Sequence, residues 1–125
     1  KVISKRLEKV TSHIVGKDVS QGVPVSDGRA TGEVVVIEKA SSDIDTRGKI
    51  IVTKMTDPGW VFLIKNCIGV VAEKGSLLSH TAIVTRELGK PAIVNVKDAT
   101  SIFKDGDIVE LDADTGVIRI IERAK

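Results

Sequence analysis

Residues 68–94 constrain the chain most, because they read as strand, loop, helix and strand with a marked boundary at each junction. Ile68-Gly-Val-Val-Ala72 is short, apolar and rich in β-branched residues, which suits a buried strand. Gly75 interrupts that pattern, and Ser79 is a good N-cap for a helix. Gly89 and Pro91 stop the helix after about nine or ten residues. Another apolar run, 92–96, then reads as a strand.

His80 falls where this helix begins. A helix N-terminus carries unpaired N–H groups and partial positive charge, so it favours a phosphoryl group held there. Side chains lean toward the N-terminus, so an imidazole in the first turn projects past the helix end. Against this, His80 shares the i, i+3, i+4, i+7 and i+8 stripe with Ile83, Val84, Glu87 and Leu88, which equally suits a structural histidine. The nearby hydroxyls of Ser76, Ser79 and Thr81 favour the phosphate reading. The residues alone leave both open.

The 125 residues make one domain, and 42% hydrophobic content is enough for a single core. No apolar run exceeds about five residues, so no membrane span is expected, and no apolar segment follows the basic Lys1–Arg6 to make a signal peptide. Lys1 in place of an initiator Met suggests a piece of a longer chain. The single cysteine, Cys67, has no internal partner, which points to a reducing, cytoplasmic setting and a small apolar role in the core. Net charge is +2 with both signs mixed, and three aromatics offer little stacking surface, so nucleic-acid binding is not expected.

Residues 1–15 suit a short amphipathic lead-in helix or linker, with His13 solvated. The domain proper is expected over 16–125. Gly16 to Gly32 reads as irregular, 33–38 and 50–53 as strands, and Asp57-Pro58 as the cap and first position of a helix ending near Asn66. Trp60 and Phe62 on that helix are expected to pack inward, Trp60 doubling as a candidate docking residue. Strands at 108–112 and 117–121 flank a hairpin at 113–116. The sum is a compact α/β sandwich with helices packed on sheets. Asp112-Ala-Asp-Thr-Gly116 resembles the start of a calcium loop but lacks the remaining ligands, so no metal site is assigned. No P-loop, catalytic carboxylate pair or His/Cys metal cluster is visible, so nucleotide and substrate sites are expected elsewhere.

Gly75, Ser79-His80, Ala82-Ile83, Arg86, Gly89 and Pro91-Ala92-Ile93 together resemble the phosphohistidine motif of the phosphoenolpyruvate-utilising enzymes. That family includes phosphoenolpyruvate synthase, pyruvate phosphate dikinase, Enzyme I of the sugar phosphotransferase system and rifampicin phosphotransferase. Two further segments fit in the same order, Gly22–Gly32 and Thr56-Asp-Pro-Gly-Trp60, so the resemblance covers roughly residues 22–121. Ser76 stands where a second glycine is usual, Leu78 where threonine is common, and Asn95 where glycine is common. Asn tolerates left-handed backbone almost as Gly does.

The resemblance implies a swivelling β/β/α domain in which His80 accepts and donates a phosphoryl group. Imidazole suits this, since it offers a neutral lone pair near physiological pH and splits one hard transfer into two easier ones. Gly75, Ser76, Ser79, Thr81 and Ala82 are the candidates to support the phosphoryl oxygens. Ser79 serves equally as a plain helix cap. Arg86, about 120° round the helix from His80, is expected to make an ion pair or dock a partner domain. No cofactor is expected within the domain; ATP and Mg²⁺ would sit on partner domains, one binding ATP and one binding pyruvate or phosphoenolpyruvate. Alternatives are a carrier domain of a rifampicin-type phosphotransferase and a free-standing regulatory or docking module.

Overall fold

In a computed structural model the chain is described over residues 19–124. The lead-in helix expected over 1–15 lies outside the described residues. Eight strands form one mixed sheet: β1 Val19–Gln21, β2 Val23–Ser26, β3 Arg29–Val36, β4 Lys49–Thr53, β5 Gly69–Ala72, β6 Ala92–Val94, β7 Ile108–Asp112 and β8 Val117–Glu122. Three α-helices join them: α1 Val61–Asn66, entered through a 3₁₀ turn at Pro58–Trp60, α2 His80–Leu88, and α3 Ala99–Ile102. The strand order is β1-β8-β7-β3-β4-β5-β6-β2. Strands β3 to β6 run parallel, and the remaining pairings are antiparallel.

The two outermost strands, β1 and β2, are separated in sequence by Gly22 alone. The sheet must therefore curl until its edges meet there. The Gly22 amide donates to the Gly116 carbonyl at 3.0 Å, and a Cβ at Gly22 would lie 2.5 Å from the Val94 carbonyl oxygen. Only glycine fits such a closure.

Curling gives the central strands two buried faces, and their period of two sends alternate residues to different cores. Ile50, Val52, Val71 and Ile93 face the interior with Val34, Phe103, Val109, Leu111 and Ile118. Ile51, Val70, Ala72, Ala92 and Val94 face the other way, where Trp60, Leu63 and Ile64 near and on α1, and Ala82 and Val84 on α2, cover them. Each fully buried Val or Ile contributes on the order of 1.5–3 kcal/mol. The expected layering of helix on sheet on sheet is thus met by one curled sheet rather than two separate ones. No helix among the described residues is long and apolar enough to cross a membrane.

The glycine-rich stretch expected to be irregular instead holds β1, β2 and the start of β3. Pro24, which argues against a central strand, is tolerated because β2 lies at the sheet edge and shifts register between Pro24 and Ser26. Helix α3 has no sequence forecast. Its Asp98 cap position makes no side-chain bond, and the Glu73 carboxylate from the end of β5 accepts from the Thr100 amide and hydroxyl instead.

Candidate functional site

The site lies beyond the C-terminal ends of β4 and β5. After Ala72 the chain leaves the sheet, turns at Gly75 and enters α2 at His80. Gly75 has φ +147°, and a Cβ there would press on the Ser79 hydroxyl and on Val94, each at 3.1 Å. Glycine is therefore required for the loop to pass so close to β6. Ser79 is the N-cap: its Oγ accepts from the Ala82 amide at 3.4 Å and donates to the Ser76 carbonyl at 2.8 Å. Ser76 Oγ accepts from the Leu78 amide. At the far end Gly89 takes the left-handed conformation that stops the helix, and Asn95 does the same after β6 with φ 60°.

His80 is half-buried, and its ring is held from one side. Nδ1 lies 2.8 Å from Thr56 Oγ1, which in turn lies 2.7 Å from Thr81 Oγ1. Thr56 and Thr81 are both buried. The chain of groups runs from imidazole to hydroxyl to hydroxyl, and either direction of donation along it is chemically allowed. Thr56 is the residue that sequence reasoning missed at this position. It belongs to the Thr56–Trp60 segment, but nothing local in that segment points at a histidine twenty-four residues on. Its placement comes from pairing of β4 with β5, which brings both strand ends together.

The structure sorts the other candidates. Ser79 and Thr81 have their hydroxyls engaged within the protein, while Ser76 is exposed. Ala82 is buried, with its amide on Ser79 Oγ. The first-turn amides of His80 and Thr81 have no carbonyl four residues back to receive them, as at any helix start. Arg86 is turned away from His80: its Nε donates to the Val25 carbonyl at 2.7 Å and its Nη2 to the Leu77 carbonyl at 2.8 Å. It braces the presenting loop against β2 and makes no ion pair among the described residues, where an ion pair or a docking role was expected, because two backbone carbonyls take its Nε and Nη2 donors. Trp60 is buried, as the packing reading required, and so is not on offer as a docking side chain; Phe62, expected inward, is exposed.

Elsewhere the polar groups look inward. Cys67 is buried, its thiol donates to the Ile64 carbonyl, and burial pushes the thiol up to about 11. Asp112 and Asp114 both face Arg29; Asp112 accepts from the Asp114 amide of its own turn, and Asp114 accepts from the Gly28 amide before β3. Hydrogen bonds from the Thr100 hydroxyl and amide hold the Glu73 carboxyl below the usual range.

These features define a small α/β domain that presents a partly exposed histidine at a helix N-terminus on a rigid frame. The chain belongs to the phosphoenolpyruvate-utilising enzymes: residues 45–116 match the family described as "PEP-utilising enzyme, mobile domain". Phosphoenolpyruvate synthase of Aeropyrum pernix is 43% identical over 106 residues, a match spanning 82% of this chain and 13% of that protein. Rifampicin phosphotransferase of Bacillus cereus is 39% identical over 100 residues, spanning 80% of this chain and 12% of that protein. A solution structure of Enzyme I shares 28% identity with a TM-score of 0.54, covering 64% of this chain and 33% of that one. The chain thus spans only a small part of the length of the curated relatives.

Proposed function

We propose that this is a phosphocarrier domain of a multidomain phosphotransferase, with His80 moving a phosphoryl group between a nucleotide site and a pyruvate or phosphoenolpyruvate site on other domains. The observation that carries the reading is the one-sided hold on the imidazole. Thr56 occupies Nδ1, which leaves Nε2 as the nitrogen to react. In the productive tautomer Nδ1–H donates to Thr56 Oγ1, whose own proton goes to Thr81 Oγ1. Nε2 then gives its lone pair to phosphorus, the P–O bond to the donor breaks, and the leaving oxygen keeps that electron pair. Nδ1 retains its proton throughout. The second half-reaction reverses this at the acceptor, whose oxygen attacks phosphorus as the P–N bond breaks and its electrons return to Nε2.

In this reading the amides at the start of α2 and the exposed Ser76 hydroxyl receive the phosphoryl oxygens. ATP and Mg²⁺ belong to partner domains in this reading, and the relatives' names support phosphotransfer and phosphoenolpyruvate chemistry for the parent protein. The test is labelling of the full-length protein with ³²P-phosphoenolpyruvate or β-labelled ATP and Mg²⁺. Acid-labile, base-stable label that disappears in His80→Ala is the expected result. Label that persists in His80→Ala overturns the assignment, and no label from either donor turns the reading toward a docking module.

A further inference from the structure

Strands β3 and β4 pair in parallel, and a cleft of about 520 Å³ opens where they end, against α3. Part of its lining is apolar: Val36, the last residue of β3, and the buried Ile37 that follows. Three exposed polar residues line it from three separate elements: Lys39 from the segment after β3, Lys54 from the segment after β4, and Ser101 from α3. The frame is fixed by hydrogen bonds that do not use those three side chains. The Val36 amide donates to Asp105 Oδ1 at 2.6 Å, the Ile37 amide donates to the Val52 carbonyl at 2.9 Å, and the Thr100 amide and hydroxyl donate to Glu73. Neither lysine makes an ion pair among the described residues. Two uncommitted cations and a hydroxyl therefore converge on one concavity with fixed walls.

We propose that this cleft is a binding site for a small phosphate monoester whose organic body carries hydroxyl groups. It does not rest on the phosphocarrier reading, and the cleft shares no lining residue with the His80, Thr56 and Thr81 cluster. A phosphate monoester carries about −1.5 to −2 charge near neutral pH and three strong acceptor oxygens. Two ammonium groups and a serine hydroxyl supply donors to all three, and the charge assistance makes those bonds strong ones. A bare phosphate would fill only a small part of the volume, so room remains for an organic body. That body packs on Val36, Ile37 and the methylene stems of the lysines. Glu38 also lines the cleft; its carboxylate accepts from a hydroxyl of the ligand and disfavours a second acidic group there. Because the walls are already pinned, binding has to order little beyond the two lysine side chains.

The probe is pyridoxal 5′-phosphate, a hydroxylated phosphate monoester whose aldehyde condenses with a nearby lysine amine and releases water. Borohydride then reduces the imine to a stable amine, and mass spectrometry of peptides from the full-length protein locates the label. Label is expected at Lys54 or Lys39 at least about tenfold over the exposed Lys65 and Lys97. Glycerol 3-phosphate should protect those lysines and glycerol should not, while pyridoxal, which lacks the phosphate, should show no preference. Lys39→Ala and Lys54→Ala should each strip the preference from the remaining lysine, and Ser101→Asp should strip it from both. In all three variants His80 should still take label from potassium phosphoramidate, a small donor that needs no protein partner. Even labelling across the exposed lysines overturns the proposal. So does an equal preference with pyridoxal, which would mark a reactive amine and no phosphate site. Protection by inorganic phosphate as strong as that by glycerol 3-phosphate would overturn the assigned ligand class. Loss of His80 label along with cleft label in all three variants would make the cleft a prop of the fold and overturn the site as well.

Discussion

Asp107 and His80 show two ways of handling a polar group in this small fold. Asp107 precedes β7, is fully buried, and has both carboxylate oxygens satisfied: the Ala124 amide donates to Oδ1 at 2.7 Å, while the Lys104 amide and Arg123 guanidinium reach Oδ2 at 2.9 and 3.1 Å. Its own carbonyl accepts from Val34 of β3. The carboxylate therefore locks the segment after β8 against the sheet. His80 is bonded among the described residues at one nitrogen only, by a hydroxyl that is itself anchored in the core, and the residue is half-buried. A group that holds structure is closed on all sides, whereas the proposed phosphocarrier role asks for a group fixed on one side and open on the other.

The sharpest way to break this contrast is to remove each group and measure both stability and labelling. His80→Ala is expected to abolish phosphoryl labelling outright while changing unfolding free energy by only about 1 kcal/mol, the worth of one hydrogen bond. A labelled His80→Ala protein, or one that no longer folds, would erase the distinction between reacting and holding groups.

Thr56→Val comes next, because it tests whether the fixed side of His80 matters. The substitution keeps the shape but frees the ring, and a small misplacement of a nucleophile costs up to about 100-fold in rate. Labelling from phosphoramidate and from phosphoenolpyruvate should fall together, since the fault lies in the ring and not in docking. Buried Thr81 loses its partner as well, so unfolding free energy drops by about 1–3 kcal/mol. Thr56→Ser, which restores the hydroxyl, is expected to recover most of the rate. A full-speed Thr56→Val protein would show that the ring needs no orienting hydroxyl.

These two residues also mark how far the sequence could be read. The strand–loop–helix–strand unit, the Ser79 cap, the Gly89 stop and the position of His80 were legible because local chemistry fixes them. Each rests on residues within one turn of the feature they determine. Thr56 was not legible as a partner of His80, because the pairing of β4 with β5 creates that contact and no local pattern encodes it. The same holds for β1 and β2, whose glycines and Pro24 read as loop until edge position and closure at Gly22 make them strands. Arg86 was legible as a helix residue facing away from His80, but its carbonyl partners come from β2 and from the loop it braces. Helix α3 depends on the carboxylate of Glu73, just past β5, which accepts from it across twenty-seven residues.

On the holding side, Asp107→Ala is the converse of His80→Ala. It leaves the Lys104 and Ala124 amides without their acceptor, and unfolding free energy should fall by about 2–3 kcal/mol in urea or thermal melts. Phosphoramidate labelling of His80, measured well below the melting transition, should be unaffected. A loss of labelling larger than the loss of folded protein would mean that the lock and the site are coupled.

The smallest effect is a difference in pH dependence between Asp107→Asn and wild type. Burial pulls the Asp107 carboxyl upward, yet the Ala124 and Lys104 amides and the Arg123 cation outweigh it and hold the group below its usual value. An acid whose folded-state pKa is depressed stabilises the fold fully above the unfolded value, about 3.9, and that share disappears as pH falls through the folded-state pKa. Asn cannot supply this charged share and places a donor where an acceptor is needed. At pH 7 the variant should be less stable by about 1 kcal/mol, and the gap should narrow steadily as pH drops below about 4. Carboxylates such as Glu73 and Asp112 are also held below their usual values, so both proteins lose stability in acid and only the difference between them isolates Asp107. A gap that stayed constant down to pH 2 would show that Asp107 acts through shape rather than charge, and the contrast with His80 would then rest on packing alone.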